Sequence, residues 1–230
     1  MIFTPDTDHL MDGRATLDDV NGDGLPDILY GEAGDYRYYE NRDGYFWAQN
    51  PTQLTGDPDR GLQENDTVWA DVNGDGFRDV LFSYGDTFRY YAAGDIAAGV
   101  FTGFEEVQTL DPVGPPSYHF GSNEVKISDL NKDGRIDLLY QSGATQFKRF
   151  INKKNNDLIE ESIDALPSDI AFTDSRIMLA DFNGDGHLDF VKKGIAYDDS
   201  SRVEVWFGLG WGNYTEAQDM LNVPSGDPND

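Results

Sequence analysis

The clearest chemical pattern in this chain is a nine-residue sequence that occurs in four near-copies. The copies read D-V-N-G-D-G-L-P-D at 19–27, D-V-N-G-D-G-F-R-D at 71–79, D-L-N-K-D-G-R-I-D at 129–137 and D-F-N-G-D-G-H-L-D at 181–189. Their first residues are 52, 58 and 52 positions apart. A nearly constant period of this length is typical of a repeat array or a propeller.

Each copy carries the oxygen donors and the turn that a calcium loop needs. Side-chain oxygens stand at positions 1, 3, 5 and 9, and Gly at position 6 permits the sharp turn around an ion. Position 7 would contribute only its backbone carbonyl, so its side chain is free to vary. Three carboxylates and one amide suit Ca2+ better than zinc or copper. The spacing therefore predicts four Ca2+ sites. Their predicted ligands are Asp19, Asn21, Asp23, Leu25 and Asp27; Asp71, Asn73, Asp75, Phe77 and Asp79; Asp129, Asn131, Asp133, Arg135 and Asp137; and Asp181, Asn183, Asp185, His187 and Asp189.

The copies are not EF-hands. Position 12, where an EF-hand has a bidentate Glu, is Tyr30, Phe82, Tyr140 or Lys192. Asp, Asn and Gly also form plain turns, but four copies that share five positions favour the calcium interpretation. Lys132 replaces the Gly of position 4 in the third copy. Its ammonium would weaken that site by proximity, whereas a side chain directed into solvent would do little.

The segments around each copy have the pattern of β-strands. Before the first Asp, apolar residues alternate with a period of two, which is typical of a strand with one face turned inward. After position 9, apolar residues occupy both faces, as in a central strand covered on both sides. A third strand is predicted at 36–39, 88–91, 147–150 and 203–206, and a weaker fourth after a Gly-rich turn, as at 41–46 and 208–214.

These elements predict an all-β fold, a β-propeller of four-stranded antiparallel blades. Its four repeats of about 55 residues each place the calcium loop between the first and second strands. The predicted repeats cover approximately 10–60, 61–118, 119–171 and 172–225, within a single array over 1–230. The polar, Pro- and Gly-rich stretches between them are interpreted as connections between blades, because the period runs through them.

The nonapeptide, the apolar strand after it, the aromatic strand and the N-x-x-G-x-F-like turn together resemble the FG-GAP/VCBS repeat family. That family includes the calcium-loaded blades of integrin α-subunit propellers, propeller lectins and the B component of bacterial insecticidal toxin complexes. The runs at 25–30 and 37–41 look most like the toxin-component and bacterial secreted versions. The resemblance implies the same calcium ligands as the spacing and adds no catalytic group.

The number of repeats leaves the assembly open, because the propellers of this family often have seven blades. The chain could be a segment of a longer propeller, a ring closed by four blades, or a half that is completed by a second copy. An open arc would expose apolar blade faces at both ends. A ring of four is the expectation, with a homodimer or further blades of a parent chain as the alternatives.

Composition excludes several classes of partner. The 230 residues carry 43 Asp and Glu against 17 Lys and Arg, a formal net charge of -26, with no cysteine. Nucleic acid would be repelled, and no apolar run is long enough to span a bilayer. Without cysteine, neither disulfides nor thiol chemistry are available. The charge also argues against a polysaccharide lyase, which needs an electropositive cleft for an acidic sugar.

Candidate catalytic groups are scarce in the sequence. No sequence argument brings His9, His119 and His187 together. The sequence also has three pairs of adjacent acidic residues, at 105–106, 160–161 and 198–199. In a strand the two side chains of each pair would point to opposite faces, so these pairs are interpreted as solvated edges. A lectin is the stronger alternative, because sugars stack on aromatic rings. Its candidate contacts are Tyr118, His119, Phe120, Trp47 and Trp211.

The leading hypothesis is a non-catalytic, calcium-stabilised propeller that binds a protein or glycan ligand. The alternatives are a lectin with sugar sites between blades and a calcium-dependent enzyme related to polysaccharide lyases. Calcium loops of modest affinity would be filled by the millimolar calcium outside cells and empty in the cytosol. We therefore expect an extracellular or cell-surface protein, with its signal on a segment outside this sequence.

Overall fold

The computed structural model describes residues 8–56, 58–85, 87–94, 101–112, 119–143, 146–161, 163, 167, 170–194 and 202–220. The chain divides into two units. The N-terminal unit contains residues 1–121 and 154–157, and the C-terminal unit contains residues 122–153 and 158–230.

The N-terminal unit contains two four-stranded antiparallel arrangements. The first consists of β1 (Ala15–Asp18), β2 (Asp27–Glu32), β3 (Asp35–Tyr39) and β6 (Thr52–Gln53), in that spatial order. The second consists of β7 (Thr67–Ala70), β8 (Asp79–Tyr84), β9 (Thr87–Tyr91) and β10 (Gln108–Pro112), again in chain order. A hairpin of β4 (Asn41–Arg42) and β5 (Phe46–Trp47) lies between β3 and β6. The single turn α1 (Asp8–Met11) is the only helix in the described ranges.

The second strand of each arrangement is the most buried, as its two apolar faces predict. The first five residues of both β2 and β8 are buried, whereas β3 and β9 alternate between buried and half-buried. The core of this unit gathers apolar side chains from both arrangements and from the segment at 101–104. Its members are Val20, Leu29, Tyr36, Tyr38, Leu54, Val80, Ala93, Phe101 and Phe104.

The C-terminal unit repeats the same order. One antiparallel arrangement runs through β11 (Val125–Ser128), β12 (Asp137–Gly143), β13 (Gln146–Lys153) and β14 (Asp157–Glu161). The other contains β15 (Ile177–Ala180), β16 (Asp189–Lys193), β17 (Val203–Trp206) and β20 (Gln218–Asp219). A hairpin of β18 (Gly208–Gly210) and β19 (Asn213–Tyr214) separates the last two. Its core consists of Leu130, Leu139, Ile151, Ile170, Phe172, Phe190 and Trp206.

The predicted fourth strand was wrong in the first and last repeats. Residues 41–46 and 208–214 form separate hairpins, and the fourth strands are β6 and β20. The reason is that the actual fourth strands are only two residues long each, too short to show an alternating pattern, whereas the predicted segments pair with themselves. Carboxylates also hold the backbone just past the third strand: Asp27 accepts the N–H of Asn41 and Asp189 that of Gly208.

The all-β class predicted from the sequence is confirmed, and the paired strands are antiparallel. Isolated bridges add one parallel contact, between Thr55 and Gly103. No helix in the described residues is long and apolar enough to cross a membrane. The single array over 1–230 and its repeat boundaries stay a prediction.

Candidate metal centres

The four nonapeptides, here called loops 1 to 4 in chain order, occupy equivalent places in the fold. Each begins directly after the first strand of its arrangement, at Asp19, Asp71, Asp129 or Asp181. Each ends on the first residue of the second strand, because Asp27, Asp79, Asp137 and Asp189 open β2, β8, β12 and β16. The loops therefore join the first strand to the second, as the spacing predicted.

Hydrogen bonds from backbone N–H groups to side chains wind all four loops in the same way. In loop 2, the carboxylate of Asp71 accepts the N–H of Gly76 at 2.9 Å, and the amide oxygen of Asn73 accepts the N–H of Asp75 at 2.9 Å. Asp75 in turn accepts the N–H of Phe77 at 2.8 Å. Loops 1, 3 and 4 repeat these three bonds at 2.8–3.0 Å.

Position 6 has to be glycine for a conformational reason. Its φ angle lies between 82° and 90° in Gly24, Gly76, Gly134 and Gly186. This left-handed region is costly for residues with a Cβ. The glycine lets the chain reverse so that the side chains of positions 1, 3 and 5 can bond to the same short stretch of backbone.

The Asp of position 9 is an anchor that the ligand pattern did not reveal. Its side chain is completely buried in all four loops. In loop 3, Asp137 accepts the N–H of Leu130 at 2.9 Å with one oxygen and the N–H of Asn152 at 2.8 Å with the other. It therefore ties the second residue of the loop to the third strand. Asp79 and Asp189 form the same pair of bonds.

Burial makes three of these anchors, Asp27, Asp79 and Asp137, unusual acids. Desolvation raises the pKa of Asp79 to about 7, and the pKa values of Asp27 and Asp137 to about 6. Hydrogen bonds from backbone N–H groups oppose the shift, and the neighbouring loop carboxylates add to it. The environment thus penalises the charged form unless a cation compensates it.

Loop 1 differs at its anchor. Asp27 accepts the N–H of Asn41 at 2.7 Å with Oδ1, but its Oδ2 is buried and the N–H of Val20, the equivalent donor, does not reach full hydrogen-bond geometry with it. A buried carboxylate oxygen without a well-formed hydrogen bond is expensive. In loop 1 it belongs to one of the predicted Ca2+ ligands.

The residues of the loops fit a hard cation by their chemistry. Each loop carries three carboxylates and an amide oxygen, the donors that Ca2+ prefers. A carboxylate oxygen that accepts one N–H keeps a second lone pair for another partner. Asp27 Oδ2 lacks a well-formed hydrogen bond, so its lone pairs are available to a cation. In the described residues, however, no three acidic or histidine side chains converge into a ready-made metal site. The ligand assignment therefore stays a prediction.

Position 7 is not the indifferent position that the sequence suggested. The ring of Phe77 in loop 2 lies where a Cβ on Gly22 of loop 1 would be, at 2.8 Å. His187 of loop 4 packs in the same way against Gly210, whose added Cβ would be 2.9 Å from the imidazole. Arg135 of loop 3 forms an ion pair with Asp133 of the same loop. At position 7, Phe77 and His187 thus pack against neighbouring glycines, and Arg135 compensates the charge of a loop carboxylate.

The aromatic candidates for sugar contact separate into packed and exposed residues. Phe120 stacks on Phe88 at 4.7 Å, so its ring serves packing. Trp47 is half-buried, His119 is exposed, and Tyr118 lies outside the described residues. Trp211 is 45 % exposed at the turn of the β18–β19 hairpin, with the ammonium of Lys153 5.6 Å from its ring centroid.

Sequence reasoning missed a second exposed aromatic tip. Tyr45 is 89 % exposed and Phe46 51 % exposed in the β4–β5 hairpin, which occupies the same place in the first repeat as Trp211 does in the last. A turn signal, Asp43-Gly44, was the available hint for the hairpin.

An open cavity of about 360 Å³ also lies in the C-terminal unit, with Glu124, Gln141, Ser142 and Thr173 in its lining.

The groups considered for catalysis are scattered in the described residues. Glu105 and Glu106 are exposed, and Glu160 and Glu161 form separate ion pairs with Lys148 and with Arg149 and Lys153. The side chain of His9 and the pair 198–199 lie outside the described residues.

The chain belongs to the FG-GAP-like repeat family, whose model matches residues 19–82 and 129–191, more than half of the sequence. The matched stretches contain all four loops. No protein with a curated description matches the chain by sequence.

Two solved structures extend this comparison. The chain is similar to an Agrocybe aegerita lectin that recognises non-reducing terminal N-acetylglucosamine, with a TM-score of 0.61, 19 % identity and 92 % of this chain covered. It spans about half (52 %) of that lectin chain. The likeness shows a common fold. The chain also matches the Photorhabdus luminescens Tc holotoxin pore, with a TM-score of 0.47, 18 % identity, 93 % of this chain and 12 % of that one.

Proposed function

We propose that this chain is a calcium-stabilised β-propeller module without catalytic activity, which binds a protein or glycan ligand outside the cell. The observation that carries the proposal is a loop repeated four times, with the same hydrogen bonds and a fully buried Asp at its end. Family membership supports a repeat architecture. The four-stranded arrangements correspond to blades in this proposal.

Calcium would relieve an electrostatic cost that is built into the loops. Each loop concentrates three carboxylates, and burial raises the pKa of three of the four anchors. Bound Ca2+ would be held by the side chains of positions 1, 3, 5 and 9 and would neutralise their charge. An ion that binds only the folded state at about a hundredfold over its Kd contributes roughly 2.7 kcal/mol per site.

The test of this part is a thermal melt of the full chain in Ca2+ and in EDTA. Several occupied sites would raise the melting temperature by about 10 °C or more, because each kcal/mol shifts Tm by about 2–4 °C in a chain of this size. Restoring Ca2+ after EDTA should restore the melt. A melting temperature that is the same in both buffers would refute calcium stabilisation.

The lectin is the second candidate, and exposed aromatic residues on hairpin tips favour it. Trp211 and Tyr45 offer rings for sugar stacking, and the cavity beside Gln141 and Ser142 offers groups that hydrogen-bond to hydroxyls. A lectin among the structural neighbours is consistent with this use of the fold. A glycan array probed in Ca2+ buffer, with an EDTA arm, separates the candidates: calcium-dependent glycan binding supports the lectin, and binding to no glycan supports a protein ligand.

The non-catalytic part has its own test. A lyase would produce unsaturated uronates that absorb in the ultraviolet, so a panel of uronate polysaccharides incubated with the chain should show no increase in absorbance. An increase that is lost in EDTA would overturn the proposal in favour of the calcium-dependent enzyme.

We also propose that four blades close into a ring. Sedimentation should then give a monomer, whereas a dimer would indicate completion by a second copy.

A further inference from the structure

The lysine that interrupts the loop pattern reaches another loop. Lys132 occupies position 4 of loop 3, where the other loops have Gly22, Gly74 and Gly184. Its backbone has the left-handed φ of 61°. Its ammonium donates a hydrogen bond to the backbone oxygen of Asp185, at position 5 of loop 4. Both loops belong to the C-terminal unit.

The ammonium lies against the turn of loop 4. A Cβ on Gly186, at position 6, would be 3.0 Å from Lys132 Nζ. Positions 5 and 6 are where the loop reverses around the predicted ion. A monovalent cation of the chain itself therefore lies beside the backbone turn of loop 4, and it would repel a divalent ion bound in that loop.

Loop 3 also contains a cation of its own. Arg135, at position 7, pairs its guanidinium with the carboxylate of Asp133 and donates from Nε to the backbone oxygen of Asn152 at 3.2 Å. The pair is shielded, with side-chain exposures of 19 % and 27 %. Asp133 Oδ2 also accepts the amide of Asn131 at 3.1 Å. A predicted ligand of loop 3 is thus already neutralised by its neighbour.

Loops 1 and 2 lack this arrangement. Their position-4 residues are glycines, and their position-7 residues, Leu25 and Phe77, carry no charge. Arg78 of loop 2 pairs with Asp18 at 2.9 Å, one residue before loop 1 begins. In the described part of the N-terminal unit, the ion pairs include none to a carboxylate of either loop.

We infer that the two units differ in their need for calcium. Loops 1 and 2 bind Ca2+ tightly. At loops 3 and 4, the positive charges of Arg135 and Lys132 partly replace the charge of the ion and weaken its binding. The inference rests on the proposed calcium function and goes beyond it, because four loops of the same pattern would otherwise bind alike. These two residues would act as determinants of affinity.

The test is calorimetric titration of the full chain with Ca2+. We expect two tight sites, with any further binding at least tenfold weaker. The double variant Lys132→Gly/Arg135→Leu, which restores residues found at these positions in loop 1, should bind four ions with similar affinity. Glycine suits the φ at position 132, and circular dichroism checks that the variant folds.

Matched controls separate this local effect from a change in net charge. The variant Lys154→Gly/Arg42→Leu removes the same two charges from exposed positions outside the four loops and should leave the titration unchanged. Four equal sites in the unaltered chain, or two tight sites that the Lys132/Arg135 variant does not extend, would overturn the inference and leave the proposed function standing. No heat of binding in any variant would refute the proposed calcium function itself.

Discussion

The carboxylate of Asp79 accepts the backbone N–H of Ala93 at 2.8 Å, and so fixes the end of loop 2 to the second residue past strand β9. Its other oxygen accepts the N–H of Val72 at 2.8 Å. One buried side chain thus connects the start of the loop, the second strand and the backbone just past the third. The residue type that the pattern assigned to an ion also has a structural role that needs no ion.

We therefore predict that Asp79→Ala destabilises the chain even in EDTA. The change leaves two buried N–H donors without an acceptor, at a cost of about 3 kcal/mol or more. Urea unfolding in EDTA measures it. Asp75→Ala is the matched control, because Asp75 is an exposed predicted ligand of the same loop and its loss should cost about 1 kcal/mol or less there. Equal losses for the two variants would contradict the anchoring role.

The second prediction concerns pH. Burial raises the pKa of Asp79 to about 7 and those of Asp27 and Asp137 to about 6. At any pH between these raised values and the ordinary pKa of an Asp, the folded chain therefore binds more protons than the unfolded chain. Its stability in EDTA should rise as the pH falls from about 8 to about 5. In Ca2+ the trend should reverse, because bound Ca2+ requires ionised carboxylates.

Melting temperatures across this pH range, with and without Ca2+, provide the measurement. Asp79→Asn removes the anchor with the highest of these pKa values, so its melting temperature in EDTA should change less between about pH 8 and about pH 6. A stability that increases with pH in EDTA would show that the anchors do not carry this effect.

The sequence was sufficient for features that depend on neighbouring residues. Loop positions and the strands beside them follow from turn residues and from alternation over a few positions. The fourth strands did not follow, because β6 and β20 are two residues long each and are defined only by their pairing with β3 and β17. The direction of Lys132 was equally hidden, since its acceptor lies 53 residues away. Both depend on folded contacts that no local pattern encodes.

The third prediction tests the close approach of two backbones in the N-terminal unit. Gly56 has a φ of 72°, and a Cβ there would be 1.9 Å from the backbone oxygen of Phe104. Gly34 has nearly the same φ, 75°, with nothing within 4 Å. Both alanine variants incur about 1–2 kcal/mol of backbone strain, but only Gly56→Ala must also push a backbone segment away.

We expect Gly34→Ala to lower the free energy of unfolding by about 1 kcal/mol and Gly56→Ala by about 3 kcal/mol or more. Urea unfolding in Ca2+ compares the two directly. If the two variants were equally stable, residues 55–56 and 103–104 would not pack as closely as described.

The last prediction concerns the exposed ring of Trp211. If the lectin candidate holds, Trp211→Ala should weaken the tightest glycan found on the array at least tenfold, because stacking on the indole would be lost. Stability should change little, since the ring is 45 % exposed and alanine keeps the strain of a non-glycine residue at a φ of 55°. Leu209→Ala removes another exposed apolar side chain, 61 % exposed, from the same hairpin and should leave glycan binding unchanged. Affinity by titration and Tm by calorimetry separate the outcomes: an unchanged affinity in Trp211→Ala would exclude this ring as a sugar platform, and an equal loss in Leu209→Ala would assign the effect to the shape of the hairpin.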